Sequence, residues 1–237
     1  MALAVLVVAS SQAAQAQILI GQTSGFSGPV AAGVKETTAG AMLYLDRVNA
    51  KGGVGGQKIE IVTMDDKFEP PLAAENAREL IEKKNVVALF LNRGTPHTEA
   101  ILPLLEKHRV PLVAPSTGAM VLHQPVKKYV FNVRATYQRE AEKALVHQAS
   151  IGMTKIAVIY ADDSFGEDGL AGAQKGLQKA KLEAVGIHKF NRTKPDFSAI
   201  VPEVVKSGAQ SVLLVASGSH AVAAIKALRA AGSTAQF

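Results

Sequence analysis

Ser116, Thr117 and Gly118 stand in a row where the apolar run "VPLVAP" (residues 110–115) ends. Hydroxyls donate hydrogen bonds, and a glycine lets backbone N–H groups approach a bound group closely. A turn or a helix cap needs only one such residue. Three together, followed by Ala119, suit a pocket for an anion such as a carboxylate or phosphate. The same kind of cluster recurs at Thr23-Ser24-Gly25, Asp65-Asp66, Asn92-Arg93-Gly94-Thr95, Asp162-Asp163-Ser164 and Ser217-Gly218-Ser219. Each follows an apolar run and precedes a helical pattern or a loop into one. Helix N-termini offer free N–H groups and partial positive charge, which also suit anions. Thr95 and Thr117 read as ligand contacts, because a glycine adjoins each. The two Asp pairs read as caps and loop-ordering groups.

Signatures of catalysis are missing from the sequence. "GGVGG" (Gly52 to Gly56) follows a helical pattern instead of a strand, so it reads as a turn and not a dinucleotide loop. There is no phosphate-binding G-x-x-x-x-G-K-[ST] and no G-x-S-x-G nucleophile elbow. The 6 histidines are dispersed without metal-ligand spacing, and most read as surface or loop residues. "DDSFGED" lacks the spacing of a calcium loop. With no cysteine, thiolate nucleophiles, disulfides and Cys-ligated metals are excluded. No cofactor and no metal are expected.

The clusters need elements to hold them, and the apolar periodicity supplies these. "QILIG", "QKIEIVT", "VVALFL", "VPLVA" and "YVFNV" read as five strands, with helices between them. One helix carries Val34, Thr38, Ala41, Leu45 and Val48 and ends at Gly52 or Gly53. A second runs from about Leu72 to Lys84. A third begins with Thr95 as N-cap and Pro96 as first helical residue, and Pro103 predicts a kink or a short first segment. From Tyr137 the alternation restarts. A helix runs to about Ser150, then come the strands "KIAVIY", "AVGIHKF" and "SVLLVA", with helices after each; Gly232 stops the last. Strict alternation with near-continuous apolar strands predicts parallel sheets covered on both faces. The reading is α/β, two doubly wound lobes over residues 17–136 and 137–237. Ligands of open parallel sheets bind beyond the strands' carboxyl ends, where the polar clusters lie.

At 237 residues with 48% hydrophobic content, the chain can bury a substantial core. The net charge of +6 is scattered and not blocked, and aromatics are 5%, so nucleic acid is not an expected partner. The N-terminal "MALAVLVVASSQAAQAQ" has a short apolar run and then Ala14-Gln15-Ala16, the A-x-A pattern of signal-peptide cleavage. No Lys or Arg precedes it. Residues 1–16 therefore read as a signal peptide, giving a periplasmic mature protein from Gln17.

Seven stretches, in order and register, resemble the leucine/isoleucine/valine-binding proteins, the substrate-binding components of ABC uptake transporters. They are "GFSGPVAAG", "VNAKGGVGGQKI", "TMDDKFEP", "APSTGAMVL", "YVFNVRATY", "IAVIYADDSFGEDG" and "RTKPDFSAIV". The resemblance runs from about Ile18 to Phe237. It implies a type I periplasmic binding fold whose two lobes close on a small carboxylate ligand, an amino acid of the branched-chain type. It also implies the transporter's membrane permease as partner, and a monomer. By motif position it implies that Thr95, Ser116 and Thr117, with the Gly118 and Ala119 N–H groups, grip the carboxylate. Phe165 would close over the ligand from the second lobe, with a further contact at Ser217, where this chain has a small residue in place of an aromatic. Members of the family continue past the point matching Phe237 with an acidic loop for the ligand ammonium and further strands, so the resemblance implies an incomplete second lobe. Two other functions share the fold's pattern: a ligand-sensing ectodomain or regulatory domain, and a small-molecule enzyme.

Overall fold

The computed structural model describes residues 17–237; the expected signal peptide lies outside them. Two parallel sheets form. The first has the order β2-β1-β3-β4-β5, from β1 (Ile18–Ser24), β2 (Ile59–Asp65), β3 (Ala88–Phe90), β4 (Leu112–Val113) and β5 (Val130–Phe131). The second has the order β7-β6-β8, from β6 (Ile156–Ala161), β7 (Gly186–Phe190) and β8 (Ser211–Val215). Gln236 adds a single parallel bridge to Ser211.

In the first sheet the order reverses beside β1. With right-handed crossovers, this sends α1 (Ala31–Ala50) to the face opposite α2 (Pro70–Glu82) and α3 (Thr95–His108). Leu80 of α2, Leu89 of β3, Ile101 and Leu105 of α3, and Leu112 of β4 meet in one core and are at most 1% exposed. Truncating any of them to alanine should cost about 2–5 kcal/mol. The middle strands are shorter than the apolar runs suggested. Leu91 (φ 53°) and Ala114 (φ 51°) take left-handed backbone just past β3 and β4, which breaks strand geometry and turns the chain toward the polar clusters.

The second lobe is built around β6, whose six residues "IAVIYA" are all buried. Around it lie α4 (Tyr137–Ser150), α5 (Ser164–Ala180), α6 (Ile200–Lys206) and α7 (Ser219–Ala230). Helix α5 carries a small-residue stripe. A Cβ added at Gly166 would lie 1.7 Å from the Ala161 carbonyl oxygen, and one at Gly172 2.5 Å from the Gln138 backbone of α4. The helix therefore seats directly on β6 and α4, closer than any larger side chain allows.

Three local expectations are corrected. Thr95 is the first residue of α3 and not its cap; Gly94 caps instead, at φ 102°. Pro103 does not break α3, which runs continuously to His108. A proline in mid-helix forfeits one backbone bond, and α3 retains its register because Ile101, Leu104 and Leu105 are anchored in the core around it. Finally, His97 and His220 are buried, at 0% and 9% exposure, and are not surface residues.

Candidate functional site

The carboxyl ends of both sheets face a common cleft of about 580 Å³, open mouth included. It is a small-molecule cavity, lined from both lobes.

Gly94 sets the first wall. A Cβ there would come within 2.4 Å of His97 Nδ1, so only glycine permits both its positive φ and the packing of His97 beneath it. The turn delivers Thr95, 1% exposed, to the cavity. Freed from capping, its Oγ1 lies 2.7 Å from Oγ1 of Thr117, which is fully buried behind it; either can be the donor. An acceptor in the cavity would take the Thr95 proton and turn Thr117 into the donor of the pair. Ser116 is fixed beside them by its N–H, which donates to the Asn92 carbonyl at 2.8 Å. Gly118 is pressed against residues 135–137, where its carbonyl accepts the Tyr137 N–H at 2.8 Å. Of the residues singled out in the sequence, Thr95, Ser116, Phe165 and Ser217 line the cavity, while Thr117, Gly118 and Ala119 lie buried outside its wall.

Asp163 organises the opposite wall. It caps α5, accepting the Phe165 and Gly166 N–H groups at 3.0 and 3.1 Å, as its position after an apolar strand predicted. Its other oxygen lies 2.6 Å from Arg192 Nε, approached off the N–H axis, so the contact is an ion pair without an aligned hydrogen bond. Phe165 meets the Tyr137 ring edge-on at 5.1 Å, and Phe190 and His220 stand edge-on at 6.1 Å. Aromatic surface thus dominates this side.

Phe68, from the loop after β2, crosses the gap. Lys67 and Phe68 both have left-handed backbone (φ 52° and 63°), a strained pair for residues with side chains. Asp66 holds the strain in place by accepting the Phe68 N–H at 2.9 Å. The Phe68 ring stacks on His97 at 4.4 Å and lies 5.0 Å beneath the Arg192 guanidinium. Burial pushes the Asp66 carboxyl up to about 6. Burial also pulls His97 down to about 4, opposed by the Phe68 backbone and helped by the Arg192 charge. Neither His97 nitrogen has a well-aligned partner, so the ring is neutral and acts as a flat packing surface. His220 is lowered too, first by burial and then by the Arg192 charge.

Three arginines line the cavity against one carboxylate. Arg192 pairs with Asp163, and Arg134 lies 2.5 Å from Glu140 and 4.7 Å over the Tyr137 ring. Arg93 has no carboxylate within 4.0 Å among the described residues. The sequence reading passed over Arg93, Phe68 and Arg192. Arg93 was within reach, since it adjoins Gly94 in a polar cluster at a strand end. Phe68 and Arg192 carried no local signal.

The lobes touch around the cleft. Ser164 donates to Glu99 at 2.5 Å, the Met120 N–H to Asp168 at 3.2 Å, and the Ser219 N–H to the Pro29 carbonyl at 3.0 Å. The arrangement is a closed one.

Comparison with known proteins agrees with this architecture. The chain is 27% identical over 236 residues to the "Amino acid binding protein" of Pseudomonas aeruginosa, covering 98% of this chain and 62% of that protein. It is 28% identical over 224 residues to the Leu/Ile/Val-binding protein homolog 7 of Brucella abortus, covering 90% and 56%. The crystal structure of a substrate-binding periplasmic protein from Ralstonia solanacearum superposes with a TM-score of 0.87 at 30% identity, over 93% of this chain and 62% of that one. A solute-binding protein from Rhodopseudomonas palustris solved with benzoate shares the fold, with a TM-score of 0.83 at 22% identity. The chain therefore spans about 60% of the length of the relatives it matches. The family model "Periplasmic binding protein" matches residues 17–237, and the chain belongs to that family, with the type I fold.

Proposed function

We propose that the protein is an extracytoplasmic solute-binding protein that captures a small carboxylate between its lobes and delivers it to an ABC transporter's permease. One observation carries the reading: a cavity between two closed lobes, at the carboxyl ends of both sheets, lined by three arginines and one aspartate. Thr95 and Ser116, with Thr117 relaying through Thr95, are the proposed hydroxyl grip, and Phe165 the aromatic cover. Each hydrogen bond to a charged group there is worth about 1.5–3 kcal/mol. Amino-acid names among the relatives and benzoate in a protein of the same fold have the carboxylate in common.

Capture is favoured over catalysis. Ser217 and His220 share the cavity, but no hydrogen bond joins them, and the one carboxylate that could orient a histidine is engaged by Arg192. Isothermal titration of the chain with a panel of small carboxylates and their amides tests the reading. Carboxylates are expected to bind with one site per chain and to be recovered unchanged; a panel without a single binder would overturn it.

A further inference from the structure

Resting on the reading of this cleft as a carboxylate-capturing site, we propose that a side chamber behind Arg93 and Ser116 is a second subsite, which takes a hydroxyl group carried by the captured acid, with Ser24 as its partner.

The chamber lies between the first sheet and α1. Successive residues of a strand point to opposite faces. Gln22 donates from Nε2 to Oγ1 of Thr38, on α1, at 3.0 Å. Thr23 points the other way and donates to Asp66 at 3.2 Å. Ser24 therefore follows Gln22 toward α1. With Thr37, Arg93 and Ser116, these two line a space of about 160 Å³, open mouth included. Arg93 and Ser116 line the cleft as well, so the chamber adjoins the proposed carboxylate grip. Gly33 of α1 leaves room for the arginine. A Cβ there would lie 3.3 Å from Arg93 Nη1, so the guanidinium rests against bare helix.

Ser24 is the residue that points to a ligand. It is 0% exposed, and its hydroxyl has no hydrogen-bond partner. Buried polar groups are nearly always paired, so an orphan marks a partner that comes from elsewhere. The groups beside it are already engaged. Thr37 donates to the Gly33 carbonyl at 2.7 Å, and the Gln22 amide is held by Thr38. The residues around Ser24 already shut out bulk solvent, so its partner must be small enough to enter the chamber.

Hydrogen-bond chemistry narrows the class of that partner. A guanidinium only donates, and the Ser24 and Ser116 hydroxyls can both donate. An atom seated among them is best an acceptor, which an oxygen is. A hydroxyl also brings a proton that either serine can accept. A methyl group would fill the same space and leave Ser24 unpaired. Because Ser116 belongs to both spaces, the hydroxyl sits within one or two carbons of the carboxylate. An ammonium elsewhere on the ligand neither helps nor hinders this contact. Water offers the same oxygen, and the experiment separates the two sources.

The test is isothermal titration of the 237-residue chain with three pairs of acids that differ only by a methyl or a hydroxyl at one carbon: isobutyrate and lactate, isovalerate and 3-hydroxybutyrate, and L-valine and L-threonine. In at least one pair the hydroxyl member is expected to bind at least about tenfold more tightly, because a site built for a hydroxyl rejects the analogue that lacks it. Ser24→Ala should bring that ratio to within about threefold. Its melting temperature should be no lower than the parent's, since the hydroxyl it removes bonds to nothing in the protein. Equal affinities within every pair would overturn the subsite and leave the chamber to water, with carboxylate capture standing. A preference that survives Ser24→Ala would overturn the role of Ser24. A variant that melts well below the parent would show that the hydroxyl is held within the fold, which also overturns it. If none of the six acids binds while other carboxylates do, the subsite fails alone; if no carboxylate binds at all, the capture reading fails and the subsite with it.

Discussion

Arg192 of the second lobe lies 5.0 Å over the Phe68 ring of the first, 124 positions earlier in the chain, and its Nη1 reaches the Phe68 carbonyl at 3.4 Å. At that length the hydrogen bond is weak, so the contact is mainly cation on ring. With Asp163 holding the other side of the guanidinium, the three residues form a clasp between lobes. It adds to closure without touching the ligand grip.

Replacing Arg192 by methionine keeps the apolar stem and removes the clasp. Closure should lose about 1–2 kcal/mol, so ligand affinity should fall about tenfold. Small-angle scattering on the unliganded variant should show a larger radius of gyration than the parent. An unchanged radius and affinity would mean that the clasp is incidental to closure.

Gly218 controls the same closure sterically. At φ 58° and ψ −134° it occupies backbone space reserved for glycine, and an added Cβ would lie 1.8 Å from the Pro29 carbonyl oxygen across the gap. Gly218→Ala should hold the lobes apart. Thermal stability should drop by about 1–3 kcal/mol, and affinity should fall further than for the Arg192 variant, read by titration and scattering together.

Asp66 and His97 should make stability unusually flat in mild acid. Asp66 is raised to about 6, so its contribution to stability is fully present below pH 3.8 and is lost as pH rises through 6. His97 is lowered to about 4, so its contribution is present above pH 6.5 and is lost as pH falls through 4. The two trends oppose each other over nearly the same range, each at most about 3 kcal/mol. His97→Phe preserves the stack on Phe68 and should gain stability relative to the parent as pH drops from 6.5 to 4. Asp66→Asn should lose it over that range. Melting temperatures at several pH values check both signs, and parallel curves for all three proteins would refute the pairing.

The hydroxyl pair invites a comparison of two valines. Thr95→Val removes the proposed donor and should weaken a carboxylate ligand by about 1.5–3 kcal/mol. Thr117→Val, outside the cavity wall, should cost about 1 kcal/mol, because Thr95 loses the partner that orients it. Equal affinity for parent and Thr117→Val would show that Thr95 needs no orientation from behind.

Much of the scaffold was legible because it follows from local rules. The buried run of β6 and the Asp163 cap of α5 each announce themselves within a few residues. The polar clusters at strand ends were legible for the same reason, and Thr95, Ser116 and Ser217 from them line the cleft, together with Phe165, which the family resemblance supplied. The cleft's aromatic and cationic lining was not. Phe68 depends on two consecutive left-handed residues that lack glycine, which propensity argues against. Arg192 finds its partners only when two lobes meet. The burial of His97 was not legible either, because nothing nearby reveals that Gly94 would let it tuck under the turn. Thr95 was misread as a cap because Thr-Pro ordinarily starts a helix that way, and Gly94 took the role at an angle closed to other residues.

The bare stripe along α5 bears on how the molecule moves. With Gly172 and Gly176 bringing that helix's backbone against Gln138 and Glu142, and with Lys175 and Lys179 clasping the side chains of those same two residues at 2.6 Å, α4, which begins directly after the crossing between sheets, cannot slide along it. The second half then moves as one stiff plate when the lobes part. Loosening that seam with a distant cushion, such as Gly176→Ala, would blur the swing's end point without altering a single atom that meets the guest.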